Sequence, residues 1–593
     1  MLRRVLPLVL ALGLTASACS GDPAADEPAT PAGEPTAAAP TPPTPAERLG
    51  LVEGWGPTQA ELERAARLVG RMSLPDLAGQ VIVAEWRGTA APVQMVRQLH
   101  LGGVIAFSDN VASTGQIRTV NATLERAVRR PWPLFLSVDQ EGGIVERVKG
   151  DATRFPTFMS AGAAGDPQVT TAAHRASAAE LRGLGFDVVF APDADVTSGP
   201  GDPTIGSRSA GSDPEVVGTH VAAAVEGIEQ AAVVPVLKHF PGHGSVPQDS
   251  HLTLPVQTRT RKQLAAVDLA PFAAAVTAGV PAVMVGHIDV RSIDPRVPSS
   301  MSREVVTGVL REQLGFEGLA VTDSLSMAGV EREYDAARSA VEGLRAGNDV
   351  LLMPPSPAAA RAGIVRAVRT GRLPRRRLEQ AAARMIALLQ HSEGTPAQQR
   401  GRPPGSGRTA SRALSAAAIT SVAGACRGRL VGPAVTPVGD PVAVANFAGA
   451  AGAAGIEVLT RRAAPASLVT AEPALKRAKK EKAKAFERRR KAWRAREKRR
   501  VAALARWTAA EDRRLARGTR IGFSGFQDAT YDGAVAVATN TPYVLGTVGA
   551  PVRLATYGDT PGAMSALVDV LLGRAEAPGR LPVEVAGVER PGC

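Results

Sequence analysis

The stretch Val233-Val234-Pro235-Val236-Leu237-Lys238-His239-Phe240-Pro241-Gly242-His243-Gly244, followed closely by Asp249-Ser250-His251, decides the reading of this chain. An apolar run ends in an ammonium and an imidazole and gives way to a glycine-rich loop. Strands of α/β barrels present catalytic side chains in this way. Asp249 and His251 stand two residues apart, and in an extended segment both side chains project to the same side. Asp249 can then bond one imidazole nitrogen of His251 and leave the other to exchange protons with a substrate.

Working outward, short apolar runs alternate with stretches of helical period. They are Val81 to Trp86, Gly103 to Phe107, Leu134 to Val138, Val188 to Ala191, Val233 to Leu237, Ala282 to Val285, Leu319 to Thr322 and Val350 to Met353. Eight strands with helix-length spacers predict a (β/α)8 TIM-type barrel over about residues 57–392. Polar residues follow several strand ends: Asp139, Asp193 and Asp195, Lys238 and His239, His287, and Asp323. In such a barrel that rim is the active-site face.

At 593 residues the chain exceeds one ordinary domain. A linker rich in Gly, Pro, Arg and Ser (393–411) leads to a smaller α/β domain (412–593). Its apolar runs lie near Ile419 to Val422, Val442 to Ala445, Ala534 to Ala538 and Val552 to Ala555. Aromatics make up only 4% of the chain, so the cores are built mainly from Ala, Val and Leu.

The N-terminus reads as an export signal (1–19). Arg3 and Arg4 precede the apolar Val5 to Leu14, and Ala16-Ser17-Ala18 lead into Cys19. A Cys straight after small residues resembles a bacterial lipobox. That resemblance implies lipidation of Cys19, anchorage to the cell membrane and residence on its extracellular face; ordinary signal cleavage is the alternative. Residues 20–56, rich in Pro and Ala, read as a disordered tether. Cys426 and Cys593 remain. In an oxidising compartment they are either a disulfide or two buried free thiols. No Cys and His stand at metal-ligand spacing, so neither a metal nor another cofactor is expected.

The net charge of +13 is local in origin. Between Lys476 and Arg520 stand 20 Lys/Arg and 5 Asp/Glu, and the rest of the chain carries 49 basic and 51 acidic residues. Leu475, Phe486, Trp493, Leu504 and Leu515 fall on one narrow face at about 100° per residue, so one basic helix is expected over about 475–517. It either packs as a solvated helix on its own domain or a second copy, or grips an anionic cell-envelope polymer or lipid headgroups. An exported chain has little access to nucleic acid.

The string KHFPGHG with the following DSH resembles the signature of bacterial glycoside hydrolase family 3 β-N-acetylglucosaminidases. Further stretches match the same family in order: Val138-Asp139-Gln140-Glu141-Gly142-Gly143, Gly206-Ser207-Arg208-Ser209, and Leu314-Gly315-Phe316 leading to Val321-Thr322-Asp323-Ser324. The close Gly579-Arg580-Leu581-Pro582-Val583 resembles the end of the second domain in longer members. The resemblance implies a retaining exo-β-N-acetylhexosaminidase acting on N-acetylglucosamine-containing oligosaccharides such as peptidoglycan fragments. Asp323 takes the position of the nucleophile and His251, oriented by Asp249, that of the acid/base. Asp139, Arg208, Lys238 and His239 take positions that hold the sugar. His243 is expected to bond backbone in the turn, Glu141 to belong to turn structure, and Gly242 and Gly244 to let the loop move. Many members of that family carry Arg after Gly143 where this chain has Ile144, with Arg147 the nearest cation. Rival readings are phosphorolysis at the same site, a β-glucosidase or xylosidase, and a catalytically silent wall-binding lipoprotein.

Overall fold

Eight short strands account for the apolar runs: β1 (Ile82–Ala84), β2 (Gly103–Ala106), β3 (Phe135–Val138), β4 (Val188–Val189), β5 (Leu237–Phe240, continuing Val234–Pro235), β6 (Ala282–Val285), β7 (Leu319–Thr322) and β8 (Leu351–Leu352). The computed structural model describes residues 42–394, 401–525 and 533–593; the export signal, Cys19 and most of the tether lie outside these residues. Neighbouring strands pair in parallel from β1 through β7. Val321 bridges to Val350 and β8 returns to β1 with Ile82 opposite Leu351, which closes the ring. All strand residues are buried, as a parallel sheet covered on both faces requires.

Helices ring the barrel, and their starts are written in the sequence. Thr58 forms a capping box with Glu61, and Asp166, Asp213 and Ser356 each cap a helix whose first residue is proline. The cap oxygen satisfies an orphan N–H while proline occupies a position that needs none. At the barrel end away from the strand C-termini, buried Asp349 is bonded by Arg311 at 2.6 Å, Arg377 at 3.0 Å and Arg384 at 3.4 Å. In this fold that end serves stability.

Regular structure is present before residue 57. Thr44 and Glu47 form a capping box on the helix Pro45–Leu49, and Leu51 and Trp55 are buried. The Pro/Ala composition hid this because one capping box and one tryptophan suffice to seat a short segment. Thr44–Cys593 then forms one compact unit. The linker also ends early: a helix begins at Arg408, and Arg402 and Gly407 donate backbone N–H groups to Ala179 and Glu180 of the barrel helix Pro167–Gly183.

The second domain holds a six-stranded sheet: β9 (Thr420–Ala423), β10 (Ala434–Gly439), β11 (Glu457–Val458), β12 (Thr519–Ser524), β13 (Val535–Ala538) and β14 (Val552–Ala555). Its order is β9-β14-β13-β12-β10-β11, with only the β9–β14 pair antiparallel. Val442 to Ala445 lies in the helix Pro441–Ala453, whose start Asp440 caps. The basic segment is inserted between β11 and β12. Its helix spans Ala483–Leu515, so Leu475 falls outside it, and 33 residues give about 50 Å. Among the described residues no helix is long and apolar enough to cross a membrane.

Candidate active site

The strand C-termini converge on a cluster of fixed charge. Lys238, in β5, donates to Asp139 at 2.7 Å and stands 2.6 Å from Glu141. Arg208, on the short turn Gly206–Arg208, grips both Glu141 oxygens at 2.8 Å. Its guanidinium also lies 3.4 Å from Asp193 and donates to His239 Nε2 at 3.3 Å. Four residues expected from sequence, Asp139, Arg208, Lys238 and His239, are therefore brought together. Glu141 is a correction. It is no turn filler but the carboxylate that ties both cations.

Burial alone would raise the Glu141 pKa, but Arg208 and Lys238 outweigh it and hold the carboxyl far below the usual carboxylate range. A carboxylate so firmly ionised is a poor proton donor, which removes it as a rival general acid. Burial lowers the Lys238 ammonium, yet Asp139 and Glu141 more than compensate and keep it charged. Arg147, the cation nearest Ile144 in the sequence, reaches only 3.9 Å from Asp139.

Asp195, which follows β4 on the rim as expected, has a task that its place in the sequence does not show. Its Oδ2 accepts from His239 Nδ1 at 2.7 Å and its Oδ1 from the His243 backbone N–H at 2.5 Å. His239 therefore carries its proton on Nδ1 and offers Nε2 to Arg208. Burial raises Asp195, but the His239 imidazole and its hydrogen bond bring it down to about 2. Burial and the Asp195 charge push Asp193 well up, since Arg208 is engaged with Glu141. Donor atoms of Asp193, Asp195 and His239 lie within 4.8 Å of one another, a spacing open to a cation. Arg208 already places a fixed positive charge against that group.

Asp323 directly follows β7, is half-buried, and accepts the Ser324 N–H at 2.7 Å. Burial pushes its carboxyl up. The His287 and His239 imidazoles, the Ser324 amide and His251 together outweigh this and hold it below its ordinary value. His287, past β6, donates from Nε2 to the Ser324 carbonyl at 2.9 Å, so Nδ1 accepts from Ser300 Oγ at 2.7 Å. It fixes the residue after Asp323, and only its place at a strand end hinted at this in the sequence.

His251 Nδ1 and its backbone N–H both reach Asp249 Oδ1, at 2.7 and 2.9 Å. The pairing is as expected but the geometry is not extended. The Leu252 and Thr253 amides bond the Asp249 carbonyl in a tight turn, and the aspartate folds over it as Asx turns do. The imidazole is 64% exposed, so Nε2 is open to an incoming group. A Cβ at Gly329, six residues past Asp323, would lie 3.2 Å from the Thr253 carbonyl oxygen and 3.3 Å from that of Ser250. It would lie 3.6 Å from the His287 Cβ. The His251 turn thus rests on the elements that carry Asp323 and His287.

Two further expectations change. The His243 ring bonds the Ser250 hydroxyl at 3.0 Å rather than backbone, and burial, aided by the nearby His239 imidazole, lowers its pKa to about 4. Gly242 and Gly244 are places where only glycine fits against the neighbouring chain. Gly242 has φ +115° and a Cβ there would meet the Asp268 Cβ at 2.6 Å, while one at Gly244 would meet the Val196 carbonyl oxygen at 2.3 Å. The exposed part of the loop is confined to its tip, where Pro247 and His251 to Thr253 face solvent.

The second domain braces this rim. The Thr157 amide and hydroxyl both bond the Tyr557 carbonyl at 2.9 Å, and Ser212, just past Arg208, donates to the Pro582 carbonyl at 3.1 Å. Cys426 and Cys593 are joined as a disulfide, remote in sequence from every rim residue.

Residues 73–388 match the model for the glycosyl hydrolase family 3 N-terminal domain. A β-hexosaminidase A of Pseudoalteromonas piscicida is 37% identical over 280 residues, 44% of this chain and 47% of that protein. The chain therefore spans about half the length of that relative. A β-hexosaminidase of Xylella fastidiosa is 38% identical over 275 residues, 45% of this chain and 81% of that one. The solved structure of a family 3 β-N-acetylglucosaminidase from a Paenibacillus species superposes with a TM-score of 0.71 at 26% identity, covering 87% of this chain and 99% of the other. The barrel, the charge-lined rim and these likenesses agree: the chain belongs to glycosyl hydrolase family 3, and its sequence groups it with the β-hexosaminidases of that family.

Proposed function

We propose that the chain is a retaining, exo-acting β-N-acetylhexosaminidase that releases terminal β-linked N-acetylglucosamine from peptidoglycan-derived or related oligosaccharides. The observation that carries this reading is the pairing of two loops: the Asp323 carboxyl below its ordinary value, and the Asp249–His251 dyad on a turn seated at Gly329.

In this mechanism the Asp323 carboxylate attacks the anomeric carbon and forms a glycosyl-enzyme ester. His251 Nε2 protonates the departing oxygen, then takes a proton from water as the ester is cleaved. Asp249 accepts the Nδ1 proton throughout and stabilises the imidazolium that forms. Asp139 and Lys238 hydrogen-bond neighbouring hydroxyls, and Arg208 and His239 complete the ring's orientation. In the same reading Cys19 is lipidated and holds the enzyme at the outer face of the cell membrane, where its glycan substrate lies.

Hydrolysis of aryl β-N-acetylglucosaminides tests this assignment. Asp323→Ala should lose at least about a thousandfold in kcat on every leaving group. His251→Ala should lose about a hundredfold or more on poor leaving groups and far less on activated ones, which need little protonation. Equal loss on both classes would remove His251 from the acid/base role. Product formed only in the presence of phosphate, as the sugar 1-phosphate, would replace hydrolysis by phosphorolysis.

A further inference from the structure

The basic insertion sorts its cations. Arg489, Arg496, Arg500 and Arg514 are in ion pairs with Glu481, Glu472, Glu497 and Glu511 on the side covered by the preceding segment 460–481, and Arg490 pairs with Glu487 within the helix. Lys484, Arg488, Lys491, Lys498, Arg506 and Arg513 are exposed, and none takes part in an ion pair among the described residues. At about 100° per residue these six fall within an arc of about 80°, running straight for about 43 Å, and the exposed Arg499 and Arg494 flank it about 20° and 40° beyond its edges. The helix positions between them on that arc are Ala495, Ala502 and Ala509.

Six like charges held in a row repel one another, so the arrangement costs free energy unless an anion meets them. The large apolar side chains say which anion. Phe486, Trp493, Leu504, Trp507 and Leu515 are half-buried on the opposite, packed face. A helix that lies in a bilayer interface points such side chains at the lipid, and a surface that reads single-stranded nucleic acid offers aromatic rings to its bases. The positions on this arc hold only Lys, Arg and Ala, and the exposed apolar side chain of the helix, Val501, lies about 60° beyond its edge.

We infer that the exposed face of the helix Ala483–Leu515 is a docking track for a linear, base-free phosphodiester polymer of the polyol-phosphate type. Each lysine or arginine meets a phosphate along the strand, and the small alanines let the chain lie close. The track would hold the enzyme along an anionic polymer while the barrel rim turns over glycan, and it needs no contribution from the sugar site.

The test uses the full chain carrying Cys19→Ser, so that no acyl chain contributes, with poly(glycerol phosphate) as probe. Wild type should bind with a steep salt dependence. The triple variant K484Q/K491Q/R506Q should bind about tenfold or more weakly at low salt, its log–log salt slope shallower by about 2, from about 0.7 per lost contact. A matched variant, R97Q/R126Q/R366Q, changes three exposed arginines of the barrel helices and should bind like wild type. Both should turn over an aryl glycoside normally, which shows that they fold and separates this inference from the catalytic one. Equal binding by wild type and the triple variant would overturn it. So would tighter binding of wild type to phosphatidylglycerol vesicles or to oligothymidylate than to poly(glycerol phosphate).

Discussion

At the scale of single residues, Glu141 carries more than its place between two glycines suggested. Removing its charge leaves Arg208 and Lys238 buried without a common counterion, and uncompensated buried charge is strongly destabilising. Glu141→Gln should cost about 3 kcal/mol or more by denaturant unfolding and abolish most turnover. An unchanged unfolding midpoint would mean that Asp139 and Asp193 can hold the two cations alone. His243 makes a pH prediction. Its folded pKa of about 4 lies below the unfolded value of about 6.5, so between the two the unfolded chain binds more protons. Against Asp187 and Glu229, which burial pushes up to about 7 and whose contribution falls with pH, the His243 contribution should rise across that window and level off above it, by at most about 3 kcal/mol. His220, lowered by burial to about 4, acts in the same direction. His243→Gln, which can still bond Ser250, should flatten part of the rise.

At the scale of elements, the turn Asp249–Thr253 owes its position to neighbours rather than to its own sequence. A methyl group at Gly329 sits tightly against two of its carbonyls, so Gly329→Ala should push the turn off its seat. The expected outcome is a several-fold to about tenfold loss of kcat/KM on poor leaving groups, little loss on activated ones, and a near-normal unfolding midpoint. Uniform loss on both would place Gly329 in folding instead. This element also shows what the sequence made legible. The spacing of Asp249 and His251 announced their bond, because two residues apart either an extended segment or an Asx turn brings them together; it could not tell the two apart. All eight barrel strands were visible as buried apolar runs, since a parallel sheet leaves no polar face to blur them. The roles of Glu141, Asp195 and His287 were not, because each acts on partners dozens of residues away. Val442 to Ala445 looked like the other runs of its domain until the Asp440-Pro441 start is weighed.

At the scale of the whole molecule, the two domains share one compact unit, and contacts from Tyr557 and Pro582 support the rim that bears Arg208. The Cys426–Cys593 disulfide ties the chain end to the second domain over a sequence separation of 167. Loop-closure entropy sets its contribution at no more than about 5 kcal/mol. Reduction, or Cys593→Ser, should therefore lower the melting temperature by several degrees while leaving KM for a small glycoside near its original value. Strong loss of affinity would mean that the chain end reaches the sugar site. The central claim, that Asp323 forms a covalent bond with the sugar, is tested most directly by trapping. Incubation with a fluorinated β-N-acetylglucosaminyl fluoride, whose intermediate is cleaved slowly, should add one sugar mass to the intact protein. Peptide mapping should place that mass on Asp323, and Asp323→Ala should stay unlabelled. Label on another carboxylate, or none during steady turnover, would contradict the account.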